Sequence, residues 1–187
     1  MYDTKQFRKG LKIEVEGVPY NIVDFQLVSP GKGGSFVRTR LKNMLTGAVL
    51  ERTFKTGDKV DRPDLELHEF QYLYPEGNHY YFMNLANYEQ VPIDDSVVGQ
   101  GKIFLKENIV VQVLFYKGKP VGVELPTFVE ITVIETEPGF KGDTASGAQK
   151  PAKLETGAVV NVPLFIKEGD ILKIDTREGK YVEKVNK

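Results

Sequence analysis

Hydrophobic and polar residues alternate with a period of two along most of the chain. Residues 12–16, 20–28 and 36–42 follow this pattern, and similar runs recur further along. Such alternation is typical of β-strands that turn one face towards a core. No run of ten residues keeps a helical period, and the acidic pair before Ser96 predicts only a short helical turn that ends near Val98. The pattern therefore predicts an all-β protein.

Prolines and changes in charge divide the chain into three parts. Pro63 and Pro126 interrupt strand-like runs, because proline cannot donate a hydrogen bond within a β-ladder. Residues 1–62 carry 12 Lys/Arg against 7 Asp/Glu, residues 63–126 carry 4 against 9, and residues 127–187 carry 9 against 10. We predict three small β-barrel domains in series with these boundaries, the latter two of the five-stranded oligonucleotide-binding (OB) type. The basic first part suits a polyanionic partner such as RNA, unless neighbouring domains differ in charge by chance.

Composition argues against several kinds of function. The chain has no cysteine, and its two histidines, His68 and His79, lack the spacing of metal ligands. Disulfides, thiol catalysis and a zinc site are therefore not expected. No apolar run approaches the roughly 18 residues of a membrane span, and the N-terminus lacks the apolar core of a signal peptide. These features predict a cytoplasmic protein with no metal, no bound cofactor and no membrane contact.

The stretch around which the chain is organised is a glycine-rich loop, residues 29–35, between two strand-like runs. Lys32 stands at its centre on a scaffold of rigid or small residues, namely Pro30, Gly31, Gly33 and Gly34. This order predicts a β-hairpin whose tip projects about 10 Å beyond the last strand pair. A phosphate-binding loop is disfavoured, because the Gly-Lys pair precedes neither Ser nor Thr nor a helix. Two interpretations stay open: a solvated turn, or a lysine probe that enters a narrow site.

The strand after this loop carries a row of cations. Arg38, Arg40 and Lys42 share one face of the predicted strand, and apolar or small residues share the other. Neighbours on one strand face are about 7 Å apart, which is close to the phosphate spacing of a nucleic-acid strand. The face therefore either contacts an RNA backbone or is simply solvated.

Several short motifs stand in an order that resembles bacterial elongation factor P, and the resemblance spans essentially all 187 residues. Each motif alone is a weak signal, and their order and spacing carry the resemblance. They occupy residues 30–33, 45–54, 72–74 and 150–165, and above all residues 138–144, which read PGFKGDT.

The resemblance implies an L-shaped mimic of tRNA, with a KOW-like barrel followed by two OB-type barrels. It implies a monomeric translation factor, not an enzyme, that binds the 70S ribosome beside peptidyl-tRNA and contacts ribosomal RNA. Such factors relieve stalling at consecutive prolines by positioning the CCA end of the tRNA. The alternative is a general RNA-binding or chaperone module built of the same barrels, which would tolerate loss of the projecting lysine.

The resemblance also implies roles for individual residues. Lys32 reaches towards the peptidyl-transferase centre and carries a covalent modification from a dedicated enzyme; a lysine here implies lysylation or an alkanol-type extension. Gly142, Asp143 and Thr144 form a loop that faces the small subunit, where they either read exposed nucleotides or only stabilise a turn. Tyr181 marks an RNA contact near the C-terminus, although Lys184 stands where relatives often carry arginine, whose fork lysine does not reproduce.

Overall fold

The structure is a computed structural model that describes residues 1–139 and 147–185. Strands dominate it, and its few helices are short: the α-helix α1 (Asp95–Val98) and two 3-10 helices, Thr4–Gln6 and Gly99–Phe104. Helix α1 lies where the sequence predicts a helical turn, because the carboxylate of Asp94 accepts a hydrogen bond from the Ser96 amide at 2.9 Å. Within these residues, no helix is long and apolar enough to cross a membrane. The all-β prediction is confirmed.

Four antiparallel strands near the N-terminus form a meander in the order β2-β3-β4-β5, and two short strands, β1 and β6, pair beside it. Their bounds are β1 (Tyr2–Asp3), β2 (Lys12–Val15), β3 (Val18–Val28), β4 (Phe36–Asn43), β5 (Val49–Lys55) and β6 (Lys59–Val60). Inward-facing side chains pack into one core: Phe7, Leu11, Ile13, Val15, Ile22, Val37, Leu41, Phe54 and Val60. These strands and their core form the first barrel-like domain, as the sequence predicts.

The next sheet has five strands in the order β11-β10-β7-β8-β9. They are β7 (Leu65–Glu76), β8 (His79–Asn84), β9 (Gln90–Asp94), β10 (Val110–Tyr116) and β11 (Lys119–Glu124). The aromatic residues of the β7–β8 hairpin are divided between core and surface. Phe70, Tyr72 and Phe82 are buried, whereas Tyr74 is half exposed and stacks on Tyr81 with ring centroids 4.9 Å apart.

The last sheet has five strands in the order β14-β13-β12-β15-β16. They are β12 (Phe128–Thr136), β13 (Gln149–Leu154), β14 (Val159–Pro163), β15 (Ile171–Asp175) and β16 (Lys180–Lys184). Alternate residues of these strands are buried against each other, and Phe104 joins them from the second 3-10 helix. Both five-stranded sheets thus belong to barrel-like domains.

The chain divides into two compact units. The first contains Met1–Leu67 and Leu114–Gly122, and the second contains His68–Val113 and Val123–Lys187. The first unit contains a small apolar cluster of Leu114, Tyr116 and Val121. Three partly buried residues pack against this cluster: Met44, Leu45 and Leu65. The boundaries of the three predicted domains, at residues 62 and 126, stay a prediction.

Candidate functional site

The Lys32 loop stands at the end of a long hairpin arm. Strands β3 and β4 are paired as far as Val28 and Phe36, and the loop of residues 29–35 joins them, as the sequence predicts. Residues 23–27 of β3 are all exposed, although the first half of the strand is largely covered. This half of β3 therefore lies outside the core, although its partner strand β4 contributes Val37 to the core beside the loop. The loop stands at the far end of the hairpin.

Lys32 is exposed at the centre of the loop, and its ammonium group has no hydrogen-bond or ion-pair partner in the part of the chain that the structure describes. The base of the loop is held more firmly. The hydroxyls of Ser29 and Ser35 are hydrogen-bonded at 3.2 Å, and the Thr56 amide donates to the Ser35 carbonyl at 3.1 Å. A closed base with an unpartnered tip leaves the lysine free to meet another molecule.

Gly33 is the loop position that needs glycine. Its φ is 103°, a conformation that L side chains rarely adopt, whereas Gly31 and Gly34 have no positive φ. A Cβ at any of these three glycines would meet no atom within 4 Å. The backbone conformation therefore makes Gly33 special, and steric crowding does not.

We expect Gly33→Ala to change the backbone conformation of the loop. The activity of the protein, measured in the functional assay described below, should fall several-fold. The forced positive φ costs about 1–3 kcal/mol, which an exposed loop relieves by moving Lys32. The melting temperature should fall by less than about 2 °C, because residues 29–34 of the loop are exposed. Gly34→Ala is the matched control and should behave like the unsubstituted protein. Equal activity of the two variants would show that the loop conformation does not matter.

The predicted row of cations lies on β4, where the burial pattern confirms the two faces. Val37, Thr39 and Leu41 are buried, whereas Arg38 and Arg40 are exposed. Lys42 is half-buried. The inner face is part of the core, so the outer face is available to a partner.

The neighbours of these cations make the outer face less basic than β4 alone suggests. Arg40 is paired in register with Asp24 on β3 and with Glu51 on β5. Asp24 also lies 3.7 Å from the ammonium of Lys9. Arg38, by contrast, is flanked by the neutral residues Gln26 and Thr53. Lys42 is likewise flanked by the neutral residues Asn21 and Val49. The acids therefore offset the charge in the middle of the row, and positive charge remains at both of its ends.

The predicted contact near the C-terminus lies on β16. Tyr181 is half-buried, packs against the core of the last sheet, and lines a cleft of about 410 Å³ with Asn161 and Lys180. Lys184 forms an ion pair with Asp170 at 3.2 Å. The pKa of Asp170 lies below its ordinary value, first because its carboxylate accepts from the Lys167 amide and then because of Lys184. Lys184 therefore has a partner within its own domain.

Other predicted site residues fall elsewhere. Gly142, Asp143 and Thr144 lie outside the described residues. Lys32 and the β4 cations belong to the first compact unit and Tyr181 to the second. Across residues 1–139 and 147–185, no group of three acidic, histidine or cysteine side chains is arranged to hold a metal ion.

The sequence analysis did not single out the serine pair or the exposed apolar side chains of the arm. Ser29 and Ser35 bracket the loop symmetrically, and this symmetry was a readable signal. Phe25 and Leu27 are 39% and 61% exposed although they continue the apolar alternation of β3. Alternation alone predicts a buried face, so no sequence signal showed that this half of β3 lies outside the core.

Comparison with known families covers almost the whole chain. Three family models match in order: the elongation factor P KOW-like domain at residues 3–60, the elongation factor P OB domain at residues 65–123, and the elongation factor P C-terminal domain at residues 129–184.

Individual relatives agree with these matches. Elongation factor P of Pelotomaculum thermopropionicum is 54% identical over 185 residues, which cover 99% of this chain and all of the relative. Elongation factor P of Caldanaerobacter subterraneus subsp. tengcongensis is 55% identical over 179 residues, or 96% of this chain and 97% of the relative.

A solved structure, eukaryotic translation initiation factor 5A from Methanococcus jannaschii, is 24% identical with a TM-score of 0.47, covering 67% of this chain and 90% of that one.

Proposed function

The chain belongs to the elongation factor P family of translation factors, which are not enzymes, and on that premise we propose that it stimulates peptide-bond formation. It binds the 70S ribosome next to peptidyl-tRNA and relieves stalling at consecutive prolines. The observation that carries this proposal is Lys32, which is exposed at the tip of the β3–β4 hairpin and has no partner among the residues that the structure describes. A tip of this kind can reach into a narrow site that a compact barrel cannot enter.

Lys32 supplies position and charge rather than a chemical step. The ribosome already holds the reacting groups, and proline reacts poorly because its ring restricts the geometry of attack. A group that holds the CCA end in a reactive pose lowers the entropic part of the barrier, an effect of up to ~7–11 kcal/mol in model reactions. A gain of about 1.4 kcal/mol already accelerates the step tenfold.

The partners follow from the same proposal. Ribosomal RNA and peptidyl-tRNA are polyanions, and they suit the outer face of β4 and the contact at Tyr181. A modifying enzyme extends Lys32 by lysylation or by an alkanol-type group, so that the tip reaches further. The protein acts as a monomer in the cytoplasm, where the ribosomes are. Gly142, Asp143 and Thr144 complete the contact with the small subunit.

The proposed function is tested by translation of a reporter with consecutive prolines in a reconstituted system that lacks any factor of this family. Added protein, isolated from its native host, should restore full-length product. A reporter without consecutive prolines should be unaffected. A protein that raised both reporters equally would be a general RNA-binding or chaperone module instead.

We further expect ribosome binding to depend on the outer face of β4. Replacing Arg38, Arg40 and Lys42 by glutamine should weaken binding and flatten its salt dependence, because fewer counterions are released from phosphates. Each lost phosphate contact removes ~0.7–0.9 from the slope of log K against log salt concentration. The measurement is a binding titration at several salt concentrations.

Glu51→Gln is the control of opposite sign for this face. Glu51 is exposed and stands opposite Arg40, so its removal should strengthen binding if phosphates approach this surface. A solvated face would leave the salt slope unchanged in both variants, and that result would remove these three cations from the site.

A further inference from the structure

The hairpin formed by β10 and β11 contacts the turn that precedes strand β3. Tyr116, at the end of β10, is 5% exposed. Its hydroxyl donates to Glu14 Oε1 at 2.8 Å and approaches the Gly17 carbonyl at 3.3 Å. Lys119 donates to the Leu45 carbonyl at 3.4 Å from the other strand of the hairpin. These groups all belong to the first compact unit.

One acceptor of Tyr116, the Gly17 carbonyl, belongs to the tight turn that joins β2 to β3, and the other, Glu14, lies on β2. Glu16 and Gly17 have φ of 52° and 77°, which is the geometry of a two-residue hairpin turn. Glu14 lies on β2 just before this turn, and β3 begins at Val18 just after it. Tyr116 therefore holds the turn itself and the strand that precedes it. The ring of Tyr116 is held in an apolar cluster with Leu114 and Val121.

The strand that begins at this turn ends at the Lys32 loop. β3 contains 11 residues, so at about 3.3 Å per residue its ends are roughly 33 Å apart. A tilt of about 2° at its start would then move its far end by about 1 Å. A displacement of about 1 Å in a positioned group can lower a rate by up to ~100-fold.

We propose that Tyr116 is a positioning residue, which sets the orientation of the Lys32 arm by fixing the turn from which β3 starts. This inference rests on the proposed function. The hydrogen bond with Glu14, followed by burial, raises the pKa of Tyr116, so the hydroxyl remains protonated and able to donate at neutral pH. The ring contributes apolar packing, and the hydroxyl contributes the hydrogen bond that orients the turn. A substitution can therefore remove the hydrogen bond and keep the packing.

The test compares Tyr116→Phe, which keeps the ring and removes the donor, with Glu14→Gln, which keeps an acceptor oxygen. The rate of peptide-bond formation between two prolines is measured on purified ribosomes over a range of protein concentrations. Tyr116→Phe should lower the maximal rate by about threefold or more. The protein concentration that gives half of the maximal rate should change by less than about twofold. Glu14→Gln should retain the full rate. Tyr88→Phe is the control, because Tyr88 is 70% exposed.

Hydrogen exchange of the free protein provides the second measurement. Amides in peptides that cover residues 12–22 should exchange faster in Tyr116→Phe than in the unsubstituted protein. In Tyr88→Phe their exchange rates should be unchanged. An unchanged maximal rate in Tyr116→Phe, or a loss seen only in the half-saturating concentration, would overturn the inference. If the unsubstituted protein itself gave no acceleration, the proposed function would fail, and the positioning role would fall with it.

Discussion

Lys32→Ala should abolish the rescue of consecutive prolines and leave the stability of the protein almost unchanged. The side chain is exposed and has no partner among the residues that the structure describes, so its removal breaks no contact. Surface substitutions of this kind change the free energy of unfolding by about 0.5 kcal/mol or less. Rescue, in contrast, requires the ammonium and any group attached to it. The measurements are the yield of a polyproline reporter and a thermal unfolding curve.

Lys5→Ala serves as the control for this substitution. Lys5 is an exposed lysine of the same domain, far along the sequence from the loop. Lys5→Ala removes the same charge as Lys32→Ala, and the variant should retain the rescue of consecutive prolines. Full rescue by Lys32→Ala would contradict the probe interpretation and favour diffuse binding to RNA phosphates. Equal losses in both variants would show that total charge matters and position does not.

Leu41→Ala should have the largest effect on stability. Leu41 is fully buried in the first core, on the strand that carries Arg40 and Lys42. Truncation of a buried leucine costs about 2–5 kcal/mol, because it removes apolar contacts and leaves a cavity. Since the chain has two compact units, a single global transition is not assumed. Hydrogen exchange of the β3 and β4 amides reports the loss locally.

Leu50→Ala is a control at the facing position. Leu50 is paired in register with Leu41, but it is 38% exposed. Its truncation should cost less than half as much. Similar losses at the two positions would contradict the assignment of Leu41 to the core. Faster exchange confined to other sheets would contradict it as well.

The hairpin and its two-faced strand were predictable because both depend on local sequence. Period-two alternation places Val37, Thr39 and Leu41 on one face wherever the strand packs. Glycines around Lys32 interrupt the strands for reasons of backbone conformation alone. A single sequence therefore identified the hairpin, the loop and the cations. The family resemblance supplied what local chemistry cannot, namely the kind of partner.

Pairing between distant segments could not be predicted in the same way. Tyr116 and Glu14 are 102 residues apart, and nothing in either local sequence indicates their hydrogen bond. The acids that flank Arg40 depend on the register of three strands, which the β-bulge between Ile22 and Asp24 shifts by one residue. The exposure of Leu27 likewise depends on where the core ends.

The most direct test of the central claim is the rate of one peptide bond, measured by rapid quenching on purified ribosomes. The complex carries peptidyl-prolyl-tRNA and receives prolyl-tRNA, with and without saturating protein from the native host. A matched complex forms a bond between two non-proline residues. We predict acceleration of the proline bond by about tenfold or more, equivalent to at least about 1.4 kcal/mol, and little change in the control bond. Equal effects on both bonds, or no effect on either, would contradict the account.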